Sequence, residues 1–195
     1  MLTRFRHPGA RLPLLTAGYV HDKVEWCRGR VMDAYALVYL LSGSGSYRDR
    51  QQGERSLTAG DVLVLFPGLE HFYGPQTPGD WAEAYVVFHG PTFVALEREK
   101  LLRRERPVLS PGLEPALLGA FDALVRQHSV GPAADGRRTS AALHSLLVEL
   151  TLADEASRRA PEDRLLLARA RLEQQLEREL DLPRLCRELG LGYES

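Results

Sequence analysis

The residues in this chain best placed to do chemistry are His71 and Tyr73, which follow the run Ala59-Gly60-Asp61-Val62-Leu63-Val64-Leu65-Phe66-Pro67-Gly68-Leu69-Glu70. Gly60 and Asp61 carry turn chemistry, Val62 to Phe66 are the apolar and β-branched residues of a buried strand, and Pro67-Gly68 ends it. A neutral imidazole and a phenol directly beyond such a turn point into the interior of a small barrel, where they offer hydrogen bonds to a ligand. No nucleophile, base and orienting group can be read together. Ser42, Ser44 and Ser46 lie among Gly43 and Gly45, yet the lysine and hydroxyl residue that make a glycine-rich loop bind phosphate are missing. Their small size serves a hairpin turn, and the expectation is a binding pocket more than a catalytic centre.

The elements that must position these residues fall into two halves. From about Pro13 to Phe88 short β-rich runs alternate with turns at Ser42-Gly43-Ser44-Gly45, Gln52-Gly53, Ala59-Gly60-Asp61, Pro67-Gly68 and Pro78-Gly79-Asp80, the pattern of a barrel or sandwich. Beyond Pro91 leucine, alanine, arginine and glutamate recur at helical spacing. Residues 114–128 place Leu117, Leu118, Phe121, Leu124 and Val125 on one face, which predicts an amphipathic helix against the barrel. Gly131-Pro132 breaks the chain. A longer helix over 137–159 then carries a stripe of Leu143, Leu146, Leu147 and Leu150, which suggests a partner helix and hence a dimer ahead of the alternative that both helical stripes simply cover the barrel. A break over 158–163 is expected, with a third helix starting at Pro161.

These runs resemble the second conserved motif of cupin barrels and, within them, the effector-binding domain of AraC-type transcription regulators. Tyr35 to Tyr47 resembles the family's strand and Gly-x-Gly turn, and Trp81 to Phe88 its next barrel strand. The resemblance implies a mainly β fold with C-terminal helices: a cupin, or jelly-roll, barrel over 1–110, dimerisation helices over 111–159, and a linker with the start of a helix-turn-helix over 160–195. Asp181 to Gly192 resembles the opening of that motif, whose second helix reads DNA. The chain ends at Ser195, where that helix would begin, so DNA contact is expected only through a remainder not present here.

Aligned on the family's motifs, Arg28, His71, Tyr73 and Tyr85 fall where the arabinose-responsive member holds its sugar, and Trp81 matches a second family tryptophan. A sugar needs a donor fork, a donor-acceptor ring and an aromatic platform, and these residues supply one of each. The effector implied is a small polar metabolite, a sugar first. Cupin enzymes hold a metal with two histidines and a glutamate from the first motif and one histidine from the second. Here only His71 is in place, Val31 to Tyr47 contains no histidine, and His21 and His89 lie apart, so neither a metal nor another cofactor is expected. The alternative is a metal-dependent isomerase or oxygenase using His71.

Composition agrees with a sensor. The 195 residues carry a formal net charge of −1, without the basic excess of a self-sufficient DNA-binding domain. Two cysteines, Cys27 and Cys186, form no disulfide framework and suit a reducing cytoplasm. No leader and no apolar run of roughly 20 residues is present, so no membrane contact is expected.

Overall fold

The computed structural model describes the backbone of residues 3–5, 13–130 and 136–174, and side chains within 13–129 and 136–159. The strands are β1 (Thr3–Phe5), β2 (Leu14–Val20), β3 (Cys27–Met32), β4 (Tyr35–Asp49), β5 (Gly53–Thr58), β6 (Val62–Leu65), β7 (His71–Pro75), β8 (Trp81–Phe88) and β9 (Val108–Leu109). The helices are α1 (Pro91–Arg98), α2 (Pro115–Val130) and α3 (Gly136–Gln174).

The 15-residue strand β4 organises the barrel. Its first half pairs antiparallel with β6 and β8, and its second half with β5 and β7. β2 extends one sheet beyond β8 and β9 extends it beyond β6, while β3 and then the parallel β1 extend the other beyond β7. The result is a cupin barrel, mainly antiparallel, followed by helices. The turn expected at Ser42-Gly43-Ser44-Gly45 is instead the point where β4 crosses between the two sheets. A Cβ on Gly43 would lie 2.0 Å from the Asp80 carbonyl oxygen, and one on Gly45 2.0 Å from that of Gly74. Glycine is required there because backbones approach closely, not because the chain reverses.

Both faces of the central strands are covered, which explains the unbroken apolar runs of β4 and β6. Alternate residues point to opposite faces. Ala36, Val38 and Leu40 join Leu63, Leu65, Tyr73 and Trp81 inside the barrel. Tyr35, Leu37 and Tyr39, with Val62, Val64 and Phe66, face outward into a second core closed by Phe93 and Leu96 of α1, Phe121 and Leu124 of α2, and leucines of α3.

The helical half differs from expectation in three respects. α1 and β9 were not separable in the sequence, being too short to show a period. α3 runs on through the break expected at 158–163, with Pro161 inside it. The third difference concerns the leucine stripe. Leu143, Leu146, Leu147 and Leu150 are at most 2 % exposed and pack into the outer core of their own chain. They cover the barrel instead of presenting a surface to a second copy.

Polar anchors hold the same layer. Asp154, 1 % exposed, accepts a hydrogen bond from the Ser110 backbone N–H at 2.8 Å and pairs with Arg106. The Tyr39 hydroxyl donates to the Gly112 carbonyl at 2.5 Å and its ring meets Phe121. Met1–Asp154 forms one compact unit and Glu155–Ser195 a second. The segment resembling a helix-turn-helix, 181–192, lies outside the described residues. Among those described, no helix is long and apolar enough to cross a membrane.

Candidate ligand-binding site

A cavity of about 620 Å³ opens in the barrel. Ala36, Val38, Leu65 and Val87 form apolar wall, while Lys23, Trp26, Arg30, Tyr73, Glu83 and Tyr85 bring polar or aromatic groups to it. An apolar cavity with a few convergent polar groups is what a small-molecule site requires.

Alternation along β8 turns Trp81, Glu83 and Tyr85 toward the interior, so a carboxylate is carried inward between two aromatic residues. Glu83 is 3 % exposed and its two oxygens are held by three donors. Lys23 Nζ lies 3.0 Å and Trp81 Nε1 2.6 Å from Oε2, and the Tyr73 hydroxyl is 3.4 Å from Oε1. The Lys23 ammonium also sits over the Tyr73 ring, 3.8 Å from its centroid, and 5.4 Å from that of Trp81. Burial lowers the Lys23 pKa against the opposing pull of Glu83, and burial pushes the Tyr73 phenol well up.

Lys23 arrives on the segment between β2 and β3, which is tied down at several points. Its backbone N–H donates to the Trp81 carbonyl at 3.2 Å and its carbonyl accepts from Gly79 at 3.0 Å. Three residues on, Trp26 Nε1 donates to the Pro75 carbonyl at 3.1 Å, and its ring lies over Gly74, where a Cβ would come within 2.7 Å of it. Gly74 thus makes room for the indole at the cavity wall.

Of the residues expected to bind ligand, Tyr73 and Tyr85 line the cavity, and Trp81 stands behind it as a donor to Glu83. Arg28 is exposed and Arg30 takes the lining position. Residues 28 and 30 would share a face in a regular strand, but the β3–β7 register shifts between Cys27 and Arg30, and Gly29 has φ +59°. That bulge turns Cys27 and Arg30 inward together.

His71 is not among the lining residues. It is 1 % exposed, opposite Arg30 on β3 and Asp49 on β4, with Nδ1 3.1 Å from the Leu69 carbonyl oxygen and Nε2 buried without a hydrogen-bond partner. Burial depresses its pKa to about 4. Among the described residues no three His, Cys, Asp or Glu side chains converge as a metal would require, so the donor set does not fit the metal centre of the cupin enzymes.

The depressed pKa has a sign that can be checked. Folded, the imidazole stays neutral down to about pH 4; unfolded, it takes up a proton near pH 6.5. Protons therefore favour the unfolded chain between these values, and stability is lost as pH falls through that window. At pH 4.5 the loss from this group should reach about 2 to 3 kcal/mol. Denaturant unfolding at pH 7 and 4.5 should show a smaller drop for His71→Asn than for the unsubstituted chain. Equal drops would show that His71 does not set the acid limb.

Three comparisons bear on the chain's relationships. Residues 27–167 match the family model described as the AraC-like ligand binding domain. No curated protein matches the chain. Among solved structures, an apo ToxT variant from Vibrio cholerae is 12 % identical with a TM-score of 0.43, covering 92 % of this chain and 71 % of its own. The EutQ protein of Clostridium difficile is 14 % identical with a TM-score of 0.31, covering 37 % of this chain and 54 % of its own. The DMSP lyase DddQ of Ruegeria pomeroyi is 13 % identical with a TM-score of 0.32, covering 38 % and 37 %.

Proposed function

Since this chain belongs to the family of AraC-like ligand-binding domains, we propose that it senses a small polar metabolite inside its barrel and passes the event to a DNA-binding region, acting as a transcription regulator in the cytoplasm. The observation that carries this reading is the cavity of about 620 Å³ in which Lys23, Arg30, Tyr73, Glu83 and Tyr85 converge on apolar wall. A ligand with several hydroxyls and one apolar face, such as a sugar, matches that mixture, with Tyr85 as platform and the phenols and charged groups as hydrogen-bonding partners.

Regulation requires that the ligand favour one arrangement of the chain over another. The segment between β2 and β3 is the element best placed to respond, because it contributes Lys23 and Trp26 to the cavity. Segment 181–192, which resembles the opening of a helix-turn-helix, is the proposed route to DNA. A homodimer, the remaining part of the reading, has to use residues other than the buried leucines of α3. Leu152, 54 % exposed, is a large apolar side chain that this helix does turn outward.

A thermal-shift panel of sugars, sugar acids and amines tests the reading. A ligand at about 100 times its dissociation constant adds roughly 2.7 kcal/mol, which raises Tm by about 5 to 10 °C in a domain of this size. The hit should be weakened at least about tenfold by Tyr85→Ala, the loss of about 1.4 kcal/mol of ring contact, and unaffected by Arg28→Ala, since Arg28 is outside the cavity. A hit indifferent to Tyr85 and sensitive to Arg28 would place binding elsewhere.

A further inference from the structure

The Lys23 ammonium is held as a bound cation would be held. It has a carboxylate at 3.0 Å, an aromatic face 3.8 Å away and a second ring at 5.4 Å. The carboxylate itself is fixed from behind by the Trp81 indole at 2.6 Å and the Tyr73 hydroxyl at 3.4 Å, so it keeps its place whichever cation it faces. The lysine is the more adjustable partner. Its stem is long and freely rotating, it comes from a connecting segment instead of a strand, and its side chain is 13 % exposed where that of Glu83 is 4 %. Carboxylate and aromatic rings around a single positive charge are the chemistry that recognises alkylammonium groups.

We propose that Glu83, Tyr73 and Trp81 form an ammonium-binding subsite of the barrel, that the chain's own Lys23 fills it, and that the effector is an amine-bearing polar metabolite whose ammonium displaces Lys23. This deepens the sensor reading and rests on it. An amino sugar or a hydroxylated amine satisfies both the subsite and the tyrosine-lined remainder of the cavity. Displacement supplies the link to regulation. Lys23 lies three residues before Trp26 on a segment whose backbone also bonds Trp81 and Gly79, so expelling its side chain removes the ion pair to Glu83, one of the ties that hold this cavity-lining segment to the barrel.

Lys23→Ala removes the internal occupant and leaves room for a small amine. The probe is propylammonium chloride, with potassium chloride at equal ionic strength as control. The Tm of Lys23→Ala should rise saturably with propylammonium, by about 5 °C or more near 100 times the dissociation constant, and not with potassium chloride. The unsubstituted chain should need at least about tenfold more probe, because Lys23 competes. A double variant with Lys23→Ala and Glu83→Gln should not respond at all. If Lys23→Ala does not fold alone, recovery of its fold by propylammonium is the same readout, and failure to recover overturns the proposal. A folded Lys23→Ala indifferent to propylammonium also overturns it. If neutral sugars then still stabilise the unsubstituted chain, the barrel sensor stands without its ammonium subsite; if nothing in the panel does, both readings fall.

Discussion

Replacing Glu83 by alanine is expected to destabilise the barrel by about 3 to 5 kcal/mol, among the largest effects of any single substitution in this chain. The change strands three donors at once. The Lys23 ammonium loses its counter-ion at 3.0 Å, the Trp81 indole N–H loses an acceptor at 2.6 Å, and the Tyr73 hydroxyl loses its longer bond. Lys23 cannot turn fully to water without leaving the ring beneath it. The cost is the cost of an uncompensated charge, which differs from the net worth of the pair. Removing both charges together, in a double variant with Lys23→Met and Glu83→Gln, should therefore recover a large part of the loss. Equilibrium denaturation of Lys23→Met, of Glu83→Gln and of their double variant measures this coupling. If the single and double losses simply add, Lys23 and Glu83 do not act as a pair.

Leu147→Ala is expected to cost about 2 to 5 kcal/mol without altering the oligomeric state. Leu147 is fully buried in the core formed by α3, α2 and the outward face of β4, β6 and β8. Truncation leaves a cavity whose walls belong to one chain, so the loss is unimolecular and independent of protein concentration. Had the leucine stripe faced a partner helix, the same substitution would dissociate a dimer, and the transition would move with concentration. Chemical denaturation at several protein concentrations, alongside light scattering, separates the two. A lowered association constant with unchanged monomer stability would return these leucines to an interface.

The contrast shows what the sequence could carry. The barrel was legible because its strands repeat apolar and β-branched runs between strong turn residues, and Val62 to Leu65 and Trp81 to Phe88 are strands as those runs predict. The leucine stripe was equally plain, but periodicity tells which face is apolar and not what covers it. Two apolar layers on one sheet, marked by the doubly buried run Tyr35 to Leu40, were the clue that the outer face needed helices.

The cavity was only partly legible, for local reasons. Tyr73 and Tyr85 follow from strand alternation. Alternation also places Glu83 between Trp81 and Tyr85, a signal present in the sequence but unused, since a lone carboxylate in a strand reads as a solvated edge. Arg30 in place of Arg28 depends on a single bulge at Gly29, which strand periodicity cannot anticipate. Lys23 lies on a connection whose path is set by backbone bonds to Gly79 and Trp81, and no short-range pattern encodes those.

The chain contains two tryptophans, and both report on the barrel. Trp26 lines the cavity and Trp81 donates its indole N–H to Glu83. The most direct test of a ligand-sensing barrel is to follow the two indole N–H resonances by NMR during titration with the strongest stabiliser from the thermal-shift panel, assigning them with Trp26→Phe. Both resonances should shift along a single saturable curve whose midpoint matches the thermal-shift affinity. Stabilisation that leaves both indole resonances unmoved would put the ligand outside the barrel and contradict the account.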